Sequence, residues 1–386
     1  MSIFTDQAAI VGIGYTKFTQ SAGVSNLSLA AEAALNAIQD AGLKTKQIHS
    51  VASYTRGDTP NQGVLETILG LEQLYWNWDG TPGGAYVADE LIGMAAAATI
   101  QNLGDYAIVF HVVNRWANRN PMIGMQGLDT DAIWEERQFD QPYGMNAGTH
   151  RSAMMARRRM INYGTKQEDF GRVVMAARSN GCLNDRALLR THVSLNDYLA
   201  SPLVADPLRS LDCFVEAVGA IAVIVTSVER AKDLRQPPIY IMAAQSGNTD
   251  RPSLGYMSSE LGDCFSKRLG KRLYEQAGVG SKDVDLAELH DPFSWMLLPQ
   301  LEDFGFCKEG EAGDFVKSGA IELGGKLPVN TSGGSLAEGE MEGLAQVVEA
   351  VIQLRGQAGP RQVKNAEVAL CTSHEFDRGS ALILRR

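Results

Sequence analysis

Short apolar runs closed by glycines alternate along this chain with stretches of helical period. Ala8-Ala9-Ile10-Val11-Gly12-Ile13-Gly14 is the first such run and predicts a strand buried on both faces. Residues 27–40 carry apolar positions on one helical face, with Ser25 placed as an N-cap and Gly42 as the stop. The pattern then predicts a strand over 48–54, a short helix over 65–71, a long helix over 87–103 and a strand over 106–113. Five alanines between Ala88 and Ala98 leave the long helix without a polar face, so it belongs in the middle of the molecule. Residues 115–205 change character, being polar, aromatic and loop-rich. They predict an insertion that covers the site and contributes to substrate binding. Helices are expected there over 152–163 and 168–180, the second opened by the capping-box spacing of Thr165-Lys166-Gln167-Glu168. Strands return at 218–226 and, after Gln236-Pro237-Pro238, at 239–244.

The later part of the chain repeats the earlier part. A helix ending Ala41-Gly42-Leu43, followed by Ile48 and Val51, matches one ending Ala277-Gly278-Val279, followed by Val284 and Ala287, at constant offset. Gly83-Gly84 and its helix match Gly333-Gly334 and its helix, and residues 106–110 match 368–371, in the same order. Two matches in one order imply a duplicated βα unit. The halves are residues 1–235, holding the insertion, and 236–386.

Composition narrows the class. The 386 residues, 45% hydrophobic and 21% charged, suit a globular chain, and a net charge of −10 argues against nucleic acid as partner. Arg157-Arg158-Arg159 is the basic cluster, read as a solvated helix face with a nucleotide phosphate as the alternative. Five cysteines without metal spacing point to a reducing cytoplasm and no metal site. No apolar run is long enough to span a membrane, and no targeting signal is expected before Ala8. Gly12 and Gly14 lack the third glycine of a dinucleotide fingerprint.

The chemistry is expected at Ala287-Glu288-Leu289-His290-Asp291-Pro292-Phe293-Ser294, where a strand turns into an apolar helix over 294–304. Functional groups collect at such strand ends. Three stretches carry a resemblance. His290-Asp291-Pro292-Phe293 resembles the His-Asp-x-Phe motif of the sterol-carrier-protein-type branch of the thiolase superfamily. Residues Asn330-Thr331-Ser332-Gly333-Gly334, with Gly339-Glu340-Met341-Glu342-Gly343, resemble its Asn-x-Ser-Gly-Gly and Gly-His-Pro-x-Gly loop. Asp212-Cys213 with Val218-Gly219-Ala220-Ile221-Ala222 resembles the strand closing its first half. The resemblance implies a five-layer αβαβα fold of two similar βαβαβ halves.

The departures bear on function. Thiolases place a nucleophilic cysteine before the first buried helix, where this chain reads Gly83-Gly84-Ala85-Tyr86-Val87-Ala88-Asp89. Glu340 replaces the Gly-His-Pro histidine, and His374, with Cys371 as competitor, stands nearest the position of the second cysteine. Thiolase-like chains without the nucleophile resemble the aldolases of steroid side-chain degradation, which split a β-hydroxyacyl-CoA into a ketone and a shorter acyl-CoA. Two tyrosines of that group are His290 and Glu340 here. The expected roles are His290 as base, Glu340 or His374 completing proton transfer, Gly333 and Gly334 as backbone donors, and Tyr86 as a substrate contact. Asp291 is expected to cap the helix that follows it. Coenzyme A enters as part of the substrate, with no prosthetic group. By the same resemblance we expect a homodimer, with 106–113 as contact edge, and a small partner with an OB fold and a zinc ribbon. A catalytically silent thiolase-fold subunit and a non-cysteine C-acyltransferase are the alternatives.

Overall fold

Strand order shows the duplication directly. The computed structural model describes residues 5–21, 23–54, 58–80, 84–114, 141–145, 147–249 and 263–386. The strands are β1 (Ala8–Tyr15), β2 (Ser50–Tyr54), β3 (Trp76–Gly80), β4 (Tyr106–Val113), β5 (Leu203–Ala205), β6 (Leu208–Arg209), β7 (Gly219–Ser227), β8 (Ile239–Asn248), β9 (Leu286–Glu288), β10 (Val368–Glu375) and β11 (Arg378–Arg385). Apart from the small β5-β6 hairpin they join in the order β3-β2-β4-β7-β1-β8-β11-β10-β9. Val329 bridges Ala287 beyond β9, as β3 lies beyond β2. The second half therefore repeats the first, β8 standing for β1, β11 for β7, β10 for β4 and β9 for β2. The halves meet where Ala9 and Ile10 face Tyr240 and Ile239.

Helices fill three layers around these strands. Asn26–Ala41 packs outside β1, β4 and β7, and Ser266–Ala277 outside β8 and β11. Ala88–Ile100 and Leu344–Leu354 lie between the two sets of strands and touch both. The αβαβα order follows. Alanines in Ala88–Ile100 allow the close approach, and its Gly93 leaves no room for a Cβ, which would stand 2.6 Å from that of Ala244. The first outer helix is capped as expected: Ser25 Oγ accepts the Ser28 amide, and Gly42 closes it at φ 75°.

Several expectations need correction. The strand β3, Trp-Asn-Trp-Asp-Gly, was not expected; it is a short, mostly exposed edge strand without apolar alternation. It, not β4, is the edge of the first half, since β4 is hydrogen-bonded on both sides by β2 and β7. The helix Gln167–Cys182 starts one residue later than the capping-box spacing implied, and the Lys166 amide donates to Asp169 Oδ2 at 2.8 Å. The basic run is not a solvated face throughout: Arg159 is buried and doubly hydrogen-bonded to Glu302, its Nη1 to Oε2 at 3.1 Å. Part of the 115–205 insertion lies outside the described residues. Its helices Gly148–Tyr163 and Gln167–Cys182 pack into the outer core of the second half.

Candidate active site

The turn after β9 is pinned by side chains distant in sequence. Asn330 brackets Leu289, accepting its amide at Oδ1 and donating from Nδ2 to its carbonyl, both at 2.7 Å. The His290 amide donates to Thr372 Oγ1 at 3.0 Å, and its carbonyl accepts Gln300 Nε2 at 3.0 Å. Asn330 itself sits at φ 48°, a left-handed conformation that asparagine tolerates. The insertion holds this loop from behind: Asn180 Nδ2 reaches the carbonyl of Asn330 and Asn184 Nδ2 that of Ser332.

So fixed, the His290 ring meets Glu340. Its Nε2 lies 3.0 Å from Glu340 Oε1 and 3.2 Å from Oε2, and both residues are buried. Glu340 is held in turn by the Glu342 amide, which donates to Oε1 at 2.6 Å, and by its own amide on the Val215 carbonyl. Burial works against a charged imidazole, but the Glu340 carboxylate outweighs it and holds His290 above its ordinary value. The two side chains form a buried acid–base pair on a rigid frame.

His374 is near the pair but faces elsewhere. Side chains alternate along β10, so Cys371 and Ser373 look toward the central helices while Thr372 and His374 look outward. The His374 ring stacks on Phe265 at 4.8 Å, and its Nε2 donates to the His290 carbonyl at 2.9 Å. Burial and the neighbouring His290 push it down to about 3, so it is neutral. It supports the His290 main chain. Cys371, the competing residue, is buried, and burial pushes its thiol well above the usual range.

The remaining expected residues lie apart from the pair. The Gly333 amide is engaged on the Asn330 carbonyl at 2.8 Å, and the Gly334 amide faces Ser332 Oγ at 3.4 Å. Neither is an unused oxyanion donor. Gly334 is required by crowding instead, because a Cβ there would stand 2.5 Å from the Asp291 carboxylate. Asp291 does not cap the helix after it; its Oδ1 accepts the Ser335 amide at 2.7 Å, across the loop. Tyr86 lies beneath the Arg378 guanidinium at 5.8 Å and lines an open cavity of about 330 Å³ with Glu90, Ser246, Asn248 and Gly379. Gly83 falls outside the described residues.

Two buried polar groups, Asp89 and Tyr54, were given no role in the sequence reading. Asp89 opens the central helix Ala88–Ile100, is fully buried, and has its Oδ2 2.8 Å from Ser373 Oγ. Burial pushes its carboxyl up to about 7. Tyr54 donates to the Glu342 carbonyl at 2.8 Å and stacks on His111 at 4.1 Å. The available signal was an acid in the first turn of an otherwise apolar helix. Among the described residues no cluster of histidine, cysteine and carboxylate side chains fits a metal ion, and no helix is long and apolar enough to cross a membrane.

Comparison with known proteins agrees with this architecture. Residues 249–381 match the family model described as thiolase C-terminal domain-like. A steroid side-chain-cleaving aldolase of Thermomonospora curvata is 36% identical over 96% of this chain and 97% of its own. A 17-hydroxy-3-oxo-4-pregnene-20-carboxyl-CoA lyase of Mycobacterium tuberculosis is 36% identical over 99% of this chain and 100% of its own. Among solved structures, the Ltp2-ChsH2(DUF35) aldolase superposes with a TM-score of 0.92 at 34% identity, over 100% of this chain and 99% of that one. The chain belongs to the thiolase superfamily, in its sterol-carrier-protein-type branch.

Proposed function

We propose that this protein is a carbon–carbon lyase that cleaves a bulky β-hydroxyacyl-CoA, of steroid side-chain type, to a ketone and a shorter acyl-CoA. The observation that carries the reading is the His290–Glu340 contact at 3.0 Å, in a thiolase fold whose helix start, residues 84–89, holds no thiol. Relatives named as a steroid side-chain-cleaving aldolase and a CoA lyase support it. The His290–Glu340 pair takes the β-hydroxyl proton; the Cα–Cβ bond then breaks, and its electrons pass into the thioester as an enolate. His374 and Gln300 keep His290 in place by holding its carbonyl.

Coenzyme A arrives as part of the substrate, and the reaction requires no prosthetic group. We place the chain in the cytoplasm, where its five free cysteines stay reduced. Two partners follow. One is a second copy of the chain, paired through β3. The other is a small OB-fold and zinc-ribbon protein, supported by the similar aldolase whose name includes a DUF35 component. The test is turnover of a panel of β-hydroxyacyl-CoAs, read as ketone plus short acyl-CoA, with intact-protein mass spectrometry beside it. A stable acyl adduct, or no ketone from any member in the presence of the partner, overturns the reading.

A further inference from the structure

A retro-aldol cleavage leaves an enolate whose α-carbon must be protonated, and the His290–Glu340 pair has by then taken a proton rather than given one. The structure offers another group. Asp89 stands in the first turn of the thirteen-residue helix Ala88–Ile100, at the helix start where thiolases keep their nucleophile. It is fully buried, and among the described residues its Oδ1 has no hydrogen-bond partner.

Hydrogen-bond accounting gives its protonation state. The Ser380 hydroxyl has one proton, and it goes to the Tyr86 carbonyl at 2.7 Å. The contact between Ser373 Oγ and Ser380 Oγ at 2.9 Å must then be donated by Ser373. That leaves Ser373 no proton for Asp89 Oδ2 at 2.8 Å, so the carboxyl donates and is a neutral acid. The position of its titration near neutrality, caused by burial, agrees with this.

We propose that Asp89 is the proton donor to the α-carbon of the thioester enolate. The proposal rests on the aldolase reading and adds its second half. The Asp89 proton forms the new Cα–H bond with the electron pair released from Cα–Cβ. The carboxylate left behind accepts from Ser373, whose hydroxyl turns away from Ser380. One proton is taken from the β-hydroxyl and one is given to carbon, so the step balances without any oxidant or reductant.

The reverse of this step is a proton exchange that needs no ketone. Acetyl-CoA incubated in D2O with the protein and its partner should exchange its α-hydrogens, read by mass spectrometry. Asp89→Asn should slow that exchange by ~10²–10⁴-fold. Asp89→Asn exchanging like wild type overturns the proposal, as does cleavage by a wild type that exchanges nothing. Absence of both cleavage and exchange in the wild type sinks the aldolase reading itself. Should Asp89→Asn fail to fold, Asp89→Ser, which likewise removes the acid, carries the same exchange test. The titratable groups facing Asp89 are His290, with Glu340 behind it, Tyr54 and Cys371, and the last two are held far above neutrality by burial. Wild-type exchange in Asp89→Ser overturns the proposal.

Discussion

A histidine buried against a carboxylate is held above its ordinary value, and a base in that state works only once deprotonated. The cleavage rate should therefore rise with pH along a limb lying above ~6.5, the value of a free imidazole. Glu340→Gln removes the largest raising influence and leaves burial, which lowers, so the limb should shift to lower pH while the rate drops by ~10²-fold or more. A pH–rate profile in which the limb stays put would assign the base elsewhere. Asp89 carries the opposite kind of burden. Its folded value, about 7, lies above that of an unfolded aspartate, so the folded state binds its proton more tightly. Its contribution to stability is therefore lost between roughly pH 4 and pH 7 as the carboxyl ionises. Asp89→Asn has no charge to bury. It should be at least as stable as wild type at pH 8, by urea midpoint, although its exchange is slowed. Lower stability of the variant at pH 8 would mean that the carboxylate is favourable in the fold.

Local rules made some elements legible in the sequence, and long-range register hid others. Ser25, Gly42 and Gly278 punctuate helices through contacts within a few residues, so their roles could be read directly. Which face of β10 looks at the helix start depends on its pairing with β9 and β11, and that placed Ser373 rather than His374 beside Asp89. Asp291 likewise chose a partner, Ser335, from the distant short helix Gly334–Ala337 instead of the adjacent helix. The turn that carries His290 depends most on Asn330, whose amide satisfies both backbone groups of Leu289. Asn330→Ala leaves a buried donor and a buried acceptor unpaired, each costing ~1–3 kcal/mol, and puts alanine at φ 48°. We expect a clear fall in the urea midpoint together with loss of cleavage. Wild-type stability in this variant would show that the clamp is dispensable.

At the scale of the molecule, duplication fixes the core and leaves the two ends of the strand order unlike. Val329 covers β9, and residues of the insertion pack behind its loop. At the other end, among the described residues, β3 is an open edge. Trp78 on it and Tyr75 beside it are 43% and 62% exposed, and Val64 and Ile68 on the neighbouring helix Gln62–Leu69 are 46% and 54% exposed. An open strand edge flanked by large apolar groups is a template for pairing with another chain. Two-fold pairing of identical edges is the simplest closed arrangement that covers it. The expected state in solution is thus a dimer through β3, and not through the interior strand β4. Trp78→Lys combined with Ile68→Lys should convert it to a monomer at micromolar concentration, measured by sedimentation velocity, without loss of the folded far-ultraviolet signal. A double variant that still sediments as a dimer would move the contact to another face, and a monomeric wild type would overturn the dimer.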